Sequence, residues 1–210
     1  MKHGFWVSWM LVVASQATAH RLDEYLQATR IGVSTNRIEI SIDLTPGIAI
    51  ADRLWAKIDR NGDGQLSEEE TVAYTGRVLK DVRVRLDEET LTLSLSHASF
   101  PDFHAVQGGL GVIRIKTTAP VETLKAGKHV LDITNGHLPA MSVYLVNALI
   151  PECKTIEITK QTRDRLQKHH RMEFWVSTPP RSRQARSTNS TLEQRHSTEE
   201  TRKRTRNPRP

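Results

Sequence analysis

The residues of this sequence best suited to chemistry lie in one short acidic segment, residues 59–70. Asp59, Asp63 and Glu70 place three negative charges close together, which is costly unless a cation neutralises them. Oxygen atoms on alternate residues of a tight loop point toward one centre, and hard cations such as Ca²⁺ prefer oxygen ligands. Gly64 allows the left-handed turn that bends such a loop. The segment therefore predicts a cation site rather than a solvated acidic turn.

The segment resembles the twelve-residue loop of the EF-hand calcium-binding family, and the resemblance extends over residues 48–82. By that resemblance, the calcium ligands are the side chains of Asp59, Asn61 and Asp63, the backbone carbonyl of Gln65, Ser67 directly or through water, and both carboxylate oxygens of Glu70. A bidentate glutamate favours Ca²⁺ over Mg²⁺, its main competitor. Because the sequence holds a single loop, we expect a structural site rather than a sensor. Extracellular calcium modules bind with dissociation constants of about 10⁻⁴–10⁻³ M, and we expect this site to be near that range.

One helix is predicted before this loop and one after it. Thr45-Pro46 has the pattern of an N-cap followed by proline at the first helical position. The second helix is predicted over Glu68–Lys80, with Ser67 and Glu70 as its capping pair. The apolar residues that we expect to be buried are Ala51, Leu54, Trp55 and Ile58 in the first helix, and Val72, Val78 and Leu79 in the second.

The rest of the sequence indicates β-strands. Residues 38–44 alternate between apolar and polar side chains, and residues 26–34 suit a hairpin partner across the turn at Thr35-Asn36. Further alternating runs occur at residues 82–86, 91–95, 113–115, 130–133, 143–148, 156–158 and 172–176. Eight or nine short strands with closely spaced turns predict a mainly β (α+β) fold. We expect an antiparallel β-sandwich with the EF-hand inserted at residues 45–82, after the first hairpin.

The first nineteen residues have the organisation of a secretory signal peptide. Lys2 provides a basic start, residues 5–14 are mostly apolar, and Ala17-Thr18-Ala19 fits a cleavage site that would leave His20 as the new N-terminus. The apolar stretch is too short to span a bilayer. We therefore predict a secreted or periplasmic protein. Its single cysteine, Cys153, excludes a disulfide framework within the chain.

The basic charge of the chain belongs to its C-terminal part. The formal net charge of the whole sequence is +6, and residues 178–210 alone carry nine basic and three acidic residues. With Leu192 as their one large aliphatic residue, these residues are predicted to form a disordered basic tail. Residues 20–177 hold 20 basic and 21 acidic residues and are predicted to form the folded domain. The charge therefore does not indicate specific nucleic-acid binding.

Four further motifs resemble a family of uncharacterised bacterial secreted EF-hand proteins over residues 20–176. They are HRLDEYLQ at residues 20–27, DLTPG at residues 43–47, NGHLP at residues 135–139 and SVYLVNA at residues 142–148. Some relatives in that family occur beside, or fused to, membrane segments linked to nickel or cobalt transport. The resemblance implies an envelope membrane protein as partner, and it assigns no catalytic residue.

Three functions follow as hypotheses. The first is an exported calcium-binding protein that acts as a structural or binding module and not as an enzyme. The second is a periplasmic accessory protein for nickel, cobalt or copper, in which the free amine and imidazole of His20 chelate the metal. Its third ligand would come from His104, His137 or the His169-His170 pair. The third is a hydrolase whose site is assembled only in the fold.

Overall fold

The structure is a computed structural model that describes residues 22–178. The predicted signal peptide at residues 1–19, His20 and nearly all of the predicted tail lie outside these residues. The chain divides into two units, Met1–Ser177 and Thr178–Pro210, and the helices and strands of the described residues all belong to the first. In this described part, no helix has the length and hydropathy needed to cross a membrane.

The described residues form ten strands in two five-stranded sheets. The strands are β1 Tyr25–Val33, β2 Arg37–Pro46, β3 Val82–Leu86, β4 Glu89–Leu91, β5 Ser94–Ser99, β6 Ile113–Pro120, β7 Gly127–Asn135, β8 Ser142–Ala148, β9 Ile156–Arg163 and β10 His169–Val176. The first sheet has the order β5-β6-β2-β1-β8, and the second has the order β4-β3-β7-β10-β9. The prediction of a mainly β, α+β fold is confirmed.

One hydrophobic core contains the buried side chains of both sheets. β1 and β2 form the predicted hairpin within the first sheet, with Ile31 opposite Ile40. The alternation of β2 places its apolar side chains on the buried face, where their removal from water stabilises the fold. The core includes Ile38, Ile40, Ile42 and Leu44 from the first sheet, and Leu131, Ile133, Met172 and Phe174 from the second. A core shared in this way fits the predicted sandwich.

The first sheet is mixed, so the prediction of a purely antiparallel sandwich is wrong. β1 pairs antiparallel with β2 but parallel with β8, where Tyr25 lies opposite Ser142. Parallel neighbours need a long connection, and here the chain passes through the helices and much of the second sheet between β1 and β8. The alternating pattern of residues 143–148 predicts a strand but contains no information about its direction.

The run predicted as one strand over residues 91–95 is divided between the two sheets. β4 pairs with β3 in the second sheet, whereas β5 pairs with β6 in the first. Thr92 and Leu93 connect the two strands. Because the alternation of apolar residues continues through this connection, the sequence pattern does not reveal the change of sheet.

The helices occupy two connections of the chain, the one between β2 and β3 and the one between β5 and β6. A short 3-10 helix, Ile48–Ile50, is followed by α1 Ala51–Ile58 and α2 Glu68–Lys80, and a third helix, α3 Phe103–Gln107, precedes β6. The predicted span of α2 and the predicted buried face of α1 are confirmed. The helix α3 was not predicted, because five residues are too few to show a helical period.

Two details of the helical prediction are wrong. Thr45 does not cap a helix, since β2 continues to Pro46, which pairs with Tyr25, and Gly47 is the N-terminal cap of the 3-10 helix. A proline is tolerated there because it lies at the end of a strand. Val72 is 58% exposed. The helix α2 instead buries Glu70, Tyr74, Thr75 and Val78.

Candidate metal centre

The candidate loop begins at the end of α1 with Asp59. The apolar face of α1 is buried, and the Asp59 amide donates to the carbonyl of Trp55 at 2.9 Å, which fixes the start of the loop. Asp59 itself is buried. Its Oδ1 accepts from the amide of Gly62 at 2.7 Å, and its Oδ2 accepts from the amide of Gly64 at 2.9 Å. The first acidic residue therefore holds the turn that follows it.

The middle of the loop is shaped by hydrogen bonds between side chains and nearby backbone. Asn61 Oδ1 accepts from the amide of Asp63 at 3.0 Å, and Asn61 Nδ2 donates to Asp63 Oδ2 at 2.9 Å. Asp63 Oδ1 accepts from the amide of Gln65 at 2.8 Å. Gly64 has a φ of +81°, the left-handed conformation predicted at this position. The hydrogen bonds of the loop's own side chains therefore stabilise the turns of its backbone.

Glu70 joins the beginning of the loop to its end. Its Oε1 accepts from the amides of Arg60 at 2.6 Å and Asn61 at 3.2 Å, and its Oε2 accepts from the amide and hydroxyl of Ser67, both at 3.0 Å. Ser67 Oγ also accepts from the Glu70 amide, which completes the predicted capping box. Backbone hydrogen bonds from Ser67 and Arg60 lower the pKa of Glu70 to about 2, so its carboxylate is charged at neutral pH.

In the structure, the backbone of residues 59–70 follows the predicted loop, but the carboxylates of the predicted site do not converge on one point. Within residues 22–178, no three His, Cys, Asp or Glu side chains form a group that could hold a metal ion. Asp59, Asp63 and Glu70 each accept from loop amides, and Gln65 and Ser67 are exposed. The available donors are carboxylate, amide, carbonyl and hydroxyl oxygens, which fit a calcium ion by their chemistry. Binding would require the oxygens of these side chains to converge on one centre.

The loop is also attached to the core through Leu66, the residue by which paired EF-hands usually contact each other. Leu66 is partly buried and packs against both the main core and a smaller apolar cluster of Ala51, Trp55 and Val106. The Trp55 ring lies 5.0 Å, centroid to centroid, from that of Phe103. Leu66, the eighth residue of the loop, therefore contacts this chain's own domain.

A buried hydrogen-bonded network lies next to the helical hairpin. His137 Nδ1 lies 2.8 Å from Asp81 Oδ2, and its Nε2 lies 3.2 Å from the Tyr74 hydroxyl, which is 2.8 Å from the Tyr25 hydroxyl. In the neutral imidazole, Nδ1 donates its hydrogen to the Asp81 carboxylate, so Nε2 carries no hydrogen and accepts from the Tyr74 hydroxyl. Since β1 carries Tyr25 and His137 follows β7, the network, called the Tyr-His network below, links α2 to both sheets.

The order Asp81, His137, Tyr74 is that of a relay in which a carboxylate orients a histidine beside a hydroxyl. Its electrostatics favour the neutral groups. Burial raises the pKa of Tyr74 to about 12, and burial lowers the pKa of His137 despite the nearby Asp81 carboxylate. An activated hydroxyl needs a lowered pKa or a stronger base beside it. The Tyr-His network is therefore better suited to fixing α2 than to hydrolysis.

No pattern in the sequence predicts this network. The HRLDEYLQ and NGHLP motifs contain Tyr25 and His137, but no spacing rule connects residues so far apart in the chain. Tyr74 falls on the same face of α2 as Val78, which is the one local signal that it is buried. Only the pairing of the strands brings these hydroxyl and imidazole groups together.

The transition-metal hypothesis depends on His20, which lies outside the described residues. Its candidate third ligands belong to different elements, with His104 in α3, His137 after β7, and His169 and His170 at the start of β10. Both ring nitrogens of His137 are engaged in the Tyr-His network. His170 is buried, and burial together with Arg163 lowers its pKa to about 4. The hypothesis stays a prediction.

These elements define a β-rich domain that carries a helix–loop–helix with an oxygen-rich loop. No protein-family model, curated protein or solved structure matches the chain. The EF-hand assignment therefore depends on the residues and the geometry of the loop itself.

Proposed function

We propose that this protein is an exported calcium-binding protein in which a single EF-hand serves as a structural or binding module, without enzymatic activity. The observation that carries the proposal is the loop itself. Oxygen donors occupy every ligand place of residues 59–70, Gly64 has the required left-handed backbone, and the Ser67–Glu70 capping box starts the exit helix within the loop. Export is proposed from the sequence of residues 1–19 alone.

In this proposal, calcium is held by Asp59, Asn61, Asp63, the Gln65 carbonyl, Ser67 and Glu70. These residues supply hard oxygens and three negative charges, which a divalent cation would neutralise. Glu70 accepts hydrogen bonds from three loop amides and from the Ser67 hydroxyl, and some of these bonds would be lost when the carboxylate turns toward Ca²⁺. That loss weakens binding, and we expect a dissociation constant in the range of extracellular calcium modules, about 10⁻⁴–10⁻³ M.

The attachments of the hairpin support a structural role. The helix α2 contacts both sheets through the Tyr-His network, and Leu66 packs into the core from the loop. A sensor EF-hand responds by opening its helix pair to expose an apolar groove. Here such opening would break buried hydrogen bonds. Calcium would instead stabilise the hairpin in place on the domain.

Calorimetric titration of the purified protein with CaCl₂ tests the proposal. Glu70→Gln and Glu69→Gln form a matched pair, because both remove one negative charge from the first turn of α2 and only Glu70 is at a ligand place. We expect Glu69→Gln to bind Ca²⁺ like the unchanged protein, and Glu70→Gln and Asp59→Ala to lose binding. Excess MgCl₂ should compete weakly.

Thermal unfolding provides the second measurement. With a dissociation constant of about 0.3 mM, about 10 mM Ca²⁺ should stabilise the folded state by about 2 kcal/mol. For a domain of this size, that stabilisation raises the melting temperature by about 4–8 °C. Glu70→Gln should show no such rise. If Ca²⁺ neither binds nor raises the melting temperature of the unchanged protein, the proposal is wrong.

A further inference from the structure

A basic cleft lies beside the Tyr-His network and is lined by residues of α1, the start of the loop, α2 and the segment after β7. Its volume is about 510 Å³, within the range of small-molecule sites. The buried side chains of Tyr74 and His137 form part of its wall, and Ala56 and Leu138 add apolar surface. Four cationic side chains line it: Lys57, Arg60, Arg77 and Lys80.

None of these four cations is neutralised by an ion pair with a carboxylate of the described residues. On the sheets, Arg30 pairs with Asp43, Lys128 with Glu173 and Arg171 with Asp132. Four positive charges around one cleft repel one another, and an anion bound between them removes that cost.

Arg77 is held in a fixed orientation within the cleft. Its guanidinium donates to the carbonyl of Lys57 and lies over the ring of Tyr74, 5.4 Å from the centroid. Tyr74 is fixed in turn by its bonds to Tyr25 and His137. A preorganised guanidinium is the donor best suited to a planar or tetrahedral oxyanion, because little side-chain entropy is lost when it binds.

Asp81 is the one carboxylate lining the cleft, and its presence limits which groups of a ligand can lie next to it. Its Oδ2 is engaged by His137 Nδ1. Its other oxygen can accept from a hydroxyl group next to the anionic group of a ligand. The cleft thus offers four cations for one strongly anionic group and one acceptor for a neighbouring hydroxyl.

We propose that this cleft binds a phosphate monoester attached to a hydroxylated group, with Arg77 and the neighbouring cations around the phosphate and Asp81 facing the hydroxyl. A phosphate monoester carries between one and two negative charges at neutral pH, which matches a cluster of several cations better than one carboxylate does. The same chemistry occurs in soluble sugar or glycerol phosphates and in the headgroup of phosphatidic acid. None of the residues assigned to calcium lines the cleft, although Arg60 follows Asp59 in the loop, and occupation of the cleft does not require calcium to bind.

The test is a titration of the full chain with glycerol 3-phosphate in metal-free buffer at fixed ionic strength. Binding is monitored through the backbone amide resonances in NMR spectra. The cleft variant Lys57→Gln/Lys80→Gln is matched by Lys125→Gln/Lys154→Gln, which removes the same charge from exposed lysines outside the cleft. Each exposed cation–phosphate contact contributes about fivefold to affinity, so the cleft variant should bind about 25-fold more weakly. The control should bind within about twofold of the unchanged protein.

Resonance shifts at Tyr74, Arg77 and Leu138 that saturate, and that weaken only in the cleft variant, support the proposal. Sedimentation with vesicles of phosphatidylcholine containing phosphatidic acid separates the two sources of phosphate. If vesicles bind through the cleft while glycerol 3-phosphate does not, the lipid headgroup is the ligand. The basic tail is present in every variant, so its binding to vesicles cancels in the comparison. The proposal is overturned if neither probe binds, or if the cleft variant loses no more affinity than the control variant for both probes.

Discussion

Tyr74 gives the sharpest test of how the helical hairpin is fixed to the domain. Its hydroxyl is fully buried between the Tyr25 hydroxyl and His137 Nε2. Tyr74→Phe removes this one oxygen without changing the shape of the ring. The substitution leaves two buried polar groups, on Tyr25 and on His137, without their partner.

The expected cost follows from counting those groups. A buried polar group that loses its hydrogen bond costs about 1–3 kcal/mol, so Tyr74→Phe, which leaves two such groups, should destabilise the protein by about 2–6 kcal/mol. Tyr144→Phe is the matched control, since its hydroxyl donates to the His137 carbonyl at 2.7 Å. That carbonyl also accepts from Gln27 and Ser142, so it stays paired. The control should cost about 1 kcal/mol or less.

Urea unfolding at about pH 7, followed by tryptophan fluorescence and circular dichroism, measures both variants. The double variant Tyr25→Phe/Tyr74→Phe should cost less than the sum of the two single variants, because it leaves no unpaired hydroxyl on residue 25. The assignment of the Tyr74 hydroxyl is wrong if Tyr74→Phe lowers the free energy of unfolding by no more than Tyr144→Phe does. It is also wrong if the losses of the Tyr25→Phe and Tyr74→Phe variants add up to the loss of the double variant.

Two further predictions concern the backbone of the loop and a buried histidine. Gly64→Ala should destabilise the protein by about 1–2 kcal/mol, because φ is +81° at this position. Gly76→Ala lies within α2 with no atom near the added methyl group, and it should stabilise the protein by about 0.5–1 kcal/mol. Equal effects of the two substitutions in thermal unfolding would contradict the left-handed turn at Gly64. The pKa of His170 is lowered by burial from 6.5 to about 4, so its contribution to stability is complete above pH 6.5 and is lost as the pH falls toward about 4. Urea unfolding midpoints measured over a pH series should fall less steeply toward low pH in His170→Gln than in the unchanged protein. The substitution His169→Gln, at an exposed residue, should keep the steep fall. If the midpoints of His170→Gln fall as steeply as those of the unchanged protein, His170 is not the cause of the loss of stability.

Much of the local structure could be predicted because it depends on neighbouring residues. The alternation of β2, the apolar face of α1, the span of α2 and the capping box of Ser67 and Glu70 are periodic or short-range patterns, and the structure contains each of them. The errors arose where a local pattern fits two structures. Thr45-Pro46 suits the start of a helix as well as the end of a strand, and the pairing of Pro46 with Tyr25 decides between them.

The sequence by itself determined the β-rich composition of the domain, the oxygen-rich loop at residues 59–70 and the place of both helices around it, since residue type and spacing carry that information. Tertiary structure alone decided that β8 lies parallel to β1, that β4 and β5 belong to different sheets, and that the loop carboxylates face backbone amides. It also brought Tyr25, Tyr74 and His137 into one network and the four cations into one cleft. These features join residues distant in the chain, and their positions are set by packing of the shared core, which no local pattern records.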